Sequence, residues 1–159
     1  MRRALAVLAA GVSLFALAAC DRPVPDVSLQ TRGTYVSEPA ARYCFTLDKG
    51  PAGCRIGNTE PREITVRDGA SVGIDVPRDV GSLWDVEVSI PGNPAARQAV
   101  GIQRDKTHLS VTPRFDQSPR LLVEVISGRY SSGSLLESGR WRFLLVRQPK
   151  PSSQPSSSR

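Results

Sequence analysis

Residues Glu63 to Pro77 read EITVRDGASVGIDVP, and the spacing in this stretch decides the fold class. Ile64 and Val66 alternate with Glu63, Thr65 and Arg67; beyond Asp68-Gly69, Val72, Ile74 and Val76 alternate with Ser71, Gly73 and Asp75. A side-chain period of two is that of a β-strand with one buried face, whereas a helix needs 3.6. Branched residues favour the strand, and Asp-Gly marks a chain reversal. The stretch therefore predicts strand, turn, strand.

The same rhythm extends outward. In LWDVEVSI, Trp84, Val86, Val88 and Ile90 alternate with Asp85, Glu87 and Ser89. Trp84 is then the largest inward side chain expected. PGNP follows as a reversal. Val100 and Ile102 alternate with Gly101 and Gln103, and Leu109 and Val111 alternate with His108, Ser110 and Thr112. RLLVEVIS and RWRFLLVR are two further strands; VSLQTRGTYV and RYCFTL are weaker candidates upstream. No segment carries a helical stripe. Short strands punctuated by Gly and Pro predict an all-β fold, an immunoglobulin-like antiparallel β-sandwich of about 7–9 strands.

The last two strands are apolar on both faces. Leu121, Val123 and Val125 oppose Leu122 and Ile126; Trp141, Phe143 and Leu145 oppose Leu144 and Val146. The second face is either covered by the segment Val27 to Pro61 or left for a partner. Glu124 and Arg142 share that face, where a cross-strand ion pair fits. Between the strands, SGRYSSGSLLESG reads as a loop of 13 residues. Tyr130 in this loop, with Leu122 and Leu144, are the candidate partner contacts; alternatively, the loop is a solvated hairpin end.

The ends of the chain differ in character. MRRALAVLAAGVSLFALAAC has a basic start, an uncharged run of 16 residues from Ala4 to Ala19, and small residues before a cysteine. That is the order of a signal peptide and short for a permanent span. Leu17-Ala18-Ala19-Cys20 resembles the lipobox of bacterial lipoproteins. The resemblance implies cleavage before Cys20, lipidation of its sulfur, and residence on the outer face of the bacterial plasma membrane. Several acyl chains on Cys20 would hold the chain there, since each buried methylene contributes about 0.8 kcal/mol. Arg2-Arg3 fits general or twin-arginine export. The expected organisation is signal peptide 1–19, lipidated tether 20–26, sandwich 27–148, and a disordered Pro/Ser tail 149–159.

With Cys20 assigned to lipid, Cys44 and Cys54 remain. Nine residues with Gly-Pro turn signals separate them. Export places the pair where disulfides persist, and a bridge over so short a loop contributes about 2–3 kcal/mol. One histidine and two cysteines cannot fill a Cys/His zinc site, so neither metal nor cofactor is expected.

Charge separates function classes weakly. Residues 20–89 carry 8 basic and 11 acidic groups, and residues 90–159 carry 11 and 4. In a sheet protein the two halves interleave, so this asymmetry need not form a face. A basic face would favour anionic headgroups or phosphate-bearing polymers. Nucleic acid is not an expected partner, for no basic–aromatic motif occurs. His108, the single histidine, falls on the polar side of its strand. No nucleophile elbow, metal-binding helix motif or phosphate loop is present. Asp85 and Glu87 could act as acid and base, but alternating acids on a strand usually form its solvated face. No enzyme is expected.

Taken in order, the lipobox at Cys20, ARYC…GC at Cys44 and Cys54, EITVRDGASVGIDVP, LWDVEV, LLVEVIS and RWRFLLVR resemble an actinobacterial lipoprotein family built on a domain of unknown function numbered 2771. The resemblance implies an envelope lipoprotein with no assigned activity and transfers no catalytic residue. Two functions are therefore expected in competition. One is a non-enzymatic module binding an envelope protein or wall polymer. The other is a small-molecule carrier or sensor with an apolar pocket between the sheets.

Overall fold

The computed structural model describes residues 22–131 and 134–149. The signal segment, Cys20 and nearly all of the Pro/Ser tail lie outside the described residues. The chain forms β1 Asp26–Thr31, β2 Thr34–Pro39, β3 Arg42–Cys44, β4 Cys54–Ile56, β5 Arg62–Val66, β6 Val72–Asp75, β7 Leu83–Ile90, β8 Asn93–Ala99, β9 Gln103–Arg104, β10 His108–Val111, β11 Arg120–Ser131 and β12 Ser134–Arg147. The expected all-β antiparallel sandwich is what forms. One sheet has the order β10-β6-β1-β2, and the other β4-β3-β12-β11-β7-β8.

The period-two residues make the core. Val27, Leu29, Val66, Val72, Ile74, Trp84, Val86, Val125, Trp141, Phe143 and Leu145 are fully buried, with Ile64 and Val76 nearly so. Burying a large apolar side chain contributes about 1.5–3 kcal/mol. Both indoles also satisfy their polar atom. Trp84 Nε1 donates to the Lys106 carbonyl at 2.7 Å, and Trp141 Nε1 donates to the Pro25 carbonyl at 3.0 Å. The second bond lays Pro25 against the domain, so the described end of the expected tether 20–26 is docked on the sandwich.

Strand number exceeds the expectation because VSLQTRGTYV forms two strands, β1 and β2, and because β4 and β8 form where no strand was expected. β3 and β5 share one side of β12, and β8 and β9 share one side of β7. β5 runs parallel to β12, with Ile64 beside Leu145. Two expectations fail. Val100 and Ile102 are not an inward strand face; they lie between β8 and β9 and are about two-fifths exposed. Gly101 between them has φ of 109°, a conformation that breaks the strand. The 13-residue loop is not a loop: Gly128–Ser131 pairs with Ser134–Glu137 as an arm of the β11–β12 hairpin. The register shifts after Ser127, leaving Ser138 as the bulged residue.

Leu144 is also not an exposed partner contact; it is buried, at 6% exposure, and Leu122 is half-buried. β11 and β5 lie on opposite sides of β12. Arg120 of β11 reaches Glu63 of β5 at 2.7 Å, so this ion pair crosses over β12 between Leu144 and Val146. Arg142 Nη1 donates to the Thr59 carbonyl at 2.7 Å on the same face. Charged side chains with long apolar stems therefore shield the leucine. β1 and β2 do not do so, since they belong to the opposite sheet.

Candidate binding cleft

The sandwich is closed along one edge and open along the other. On the closed edge, β2 runs through buried Ala40 and Ala41 directly into β3, and Arg62 of β5 faces Glu38 of β2 at 3.7 Å. On the open edge, β8 ends one sheet and β10 ends the other. Between them lies a cleft of about 530 Å³. Its apolar floor is Val88, Ile90, Val111 and Leu121, and its rim carries Gln98, Ser110, Arg114, Asp116 and Gln117. An apolar floor with a few polar groups at the mouth is the usual form of a binding site. Edge strands add unpaired backbone N–H and C=O groups on either side.

The cleft lies toward the end of the sandwich away from Arg22 and Pro25. Residue 25 meets Trp141, which pairs with Val125, whereas the cleft involves Val88 and Leu121 near the other ends of those strands. Val125 in turn pairs with Val86, so at 3.3 Å per residue the separation along β7 from that level to Ile90 is about 13 Å.

The opposite end is built around Cys44 and Cys54, which form the expected disulfide and face each other across β3 and β4. Tyr43 stacks edge-on with Phe45 and Trp141, at centroid distances of 5.0 and 6.0 Å. Burial, the main cause, pushes the Tyr43 phenol above its ordinary value, against the lowering effect of Arg22. Tyr130 is half-exposed on the hairpin arm and Leu136 nearly so.

Reactive groups are engaged elsewhere. His108 Nδ1 lies 2.7 Å from Asp75 Oδ1 on the exposed face of β10 and β6. Nearby, Ser71 and Ser110 share a hydroxyl hydrogen bond of 2.6 Å. Asp85 Oδ1 accepts from the Gly101 amide at 3.1 Å, and Glu87 pairs with Arg97 at 3.2 Å. Glu124 pairs with Arg142 as the pattern suggested, at 3.3 Å, and with Arg140 at 3.1 Å. Arg140 also binds Glu137, chiefly by a hydrogen bond that raises its already high pKa. No cluster of three or more metal-binding side chains occurs among the described residues. Among them, too, no helix is long and apolar enough to cross a membrane.

The sequence offered a pocket between the sheets as one alternative but pointed to none of the residues that line this cleft. Its residues come from β7, β8, β10, the start of β11 and the segment before it, and NPAARQA shows no alternation to mark β8 as a strand. No protein-family model, curated protein or solved structure matches this chain.

Proposed function

We propose that this chain is a non-enzymatic lipoprotein of the bacterial envelope, anchored through Cys20, that binds an extended polypeptide segment in the open-edge cleft. The observation that carries this reading is the cleft itself, a trough with an apolar floor and a polar rim between two sheet edges. Strand addition recognises an extended peptide by backbone hydrogen bonds to an edge and by pockets for alternate side chains. The position of the cleft at the end remote from residue 22 suits a protein anchored by its N-terminus. The resemblance to the actinobacterial lipoprotein family agrees with this reading and adds no residue to it.

The volume favours one second reading, a small-molecule carrier, because about 530 Å³ falls within the range of ligand sites. Photo-crosslinking residues installed at Ala96 and Ser110, with Tyr35 on β2 as a control, separate the two in intact cells. Capture of one discrete polypeptide from Ala96 and Ser110 but not Tyr35 supports the peptide reading. A co-purifying small molecule seen by native mass spectrometry, with no polypeptide captured, would replace it with the carrier.

A further inference from the structure

We infer that the end of the sandwich around Phe45 lies on the membrane and contacts the headgroups of anionic lipids. This rests on the anchoring reading of Cys20. Arg22 lies two residues beyond that cysteine, and an extended chain spans at most about 3.6 Å per residue, so the two Cα atoms are within roughly 7 Å. Arg22 is not at the end of a free tether. Its guanidinium lies 5.8 Å from the centre of the Phe45 ring, and its carbonyl accepts from Arg55 Nη1 at 3.4 Å. Arg55 stacks on the same ring at 5.4 Å. Pro25, three residues on, is held by Trp141. The lipid attachment point is therefore at most about 7 Å of chain from a residue that is itself docked on this end of the domain, and the domain cannot stand well clear of the bilayer.

The chemistry of this end suits a headgroup layer. Arg22 and Arg55 flank a half-buried aromatic ring. Lys49 is exposed in the disulfide loop, and Ile56 of β4 is 68% exposed. The hairpin arm reaches the same end, where Arg129 lies 3.7 Å from Asp48, and it presents Leu136 to solvent. The carboxylates of Asp48 and Glu137 are each in an ion pair with an arginine, Arg129 and Arg140. Basic groups beside exposed apolar side chains match both layers of a membrane surface: the anionic headgroups and the acyl boundary beneath them. A soluble phosphate would use the charges but not Ile56 or Leu136. The cleft, in the other half of the sandwich, then faces away from the lipid.

The test uses the full chain, expressed in a host that acylates lipoproteins. The purified protein is placed in detergent, in phosphatidylcholine vesicles, and in vesicles also containing phosphatidylglycerol. Amide hydrogen exchange is expected to slow over residues 45–56 and 129–136 on the anionic vesicles alone. Arg22→Gln with Lys49→Gln should lower the face-down equilibrium about fivefold per charge removed. The neutral vesicles test the same point without any substitution. Acylated protein with no protection of these segments overturns the orientation and leaves the anchor standing; equal protection on neutral lipid overturns the contact with anionic headgroups. Protection over 96–117 instead would place the cleft on the lipid and overturn it too. A mass doubling in detergent with the same segments protected assigns this end to a second copy. Absence of diacylglycerol on Cys20 removes the anchoring reading and this inference together.

Discussion

The two long edges of the sandwich are made from similar short strands and end in opposite states. On the closed edge, β2 turns directly into β3, and β5 lies parallel to β12 so that Ile64 and Val66 enter the core. On the open edge, β8 and β10 end their sheets with no such crossing strand between them, and Val88, Ile90 and Leu109 stay only partly buried. The difference is one of chain path. A crossing strand brings its own apolar face and fills the gap between the sheets. Without it, an apolar floor remains accessible. The closing strand lies on one edge, and the other edge keeps its gap.

That contrast can be broken by substitution. Ile64→Ala removes buried methylenes from the closing strand and should destabilise by about 3 kcal/mol in urea unfolding. A cost below about 1 kcal/mol would mean that β5 is an ornament rather than a closure. Replacing Cys44 and Cys54 together with serine should cost about 2–3 kcal/mol, since the loop they close is short. Gly139→Ala should cost about 1–3 kcal/mol, because its new Cβ would stand 2.5 Å from Trp141 Cη2 and an overpacked core must shift. On the open edge, Val100→Ser should change stability by no more than about 0.5 kcal/mol, for that side chain is exposed. If it proves as costly as Ile64→Ala, the open edge is not open.

The smallest effect concerns pH. Tyr43 lies where β3 meets the disulfide, and its phenol is held above the ordinary 10.0 mainly by burial. The folded state thus keeps a proton that the unfolded chain releases more readily. Its stabilising contribution is complete below the unfolded value and is lost as pH rises through the raised folded one. Thermal melts from neutral pH to above 10 should therefore fall more steeply for the wild type than for Tyr43→Phe. Equal slopes would show that the burial has no energetic consequence.

Much of this molecule was legible without coordinates. Ile64, Val72, Trp84 and Leu145 declared their inward face because a strand's period is two and one face must leave water. Cys44 and Cys54 were legible because turn signals between them predict a short loop. The charge pair Glu124–Arg142 followed from register alone. Residues 93–99 were not legible, since the described side chains of this strand are exposed on both faces but for half-buried Ala96, and no buried face imposes an alternation. The hairpin arm was hidden by its glycines and serines, which read as loop while backbone pairing holds them as strand.

Leu144 marks the boundary between the two kinds of knowledge. By itself the sequence determined that β12 is apolar on both faces, since that follows from periodicity. Only the tertiary structure decided that the second face is covered, because Glu63 and Arg120 lie 57 residues apart in the chain and meet across β12. The cleft has the same origin. Local pattern dictates which face of a strand leaves water, but which edge is closed depends on where distant strands are laid. That is settled by the packing of the whole chain.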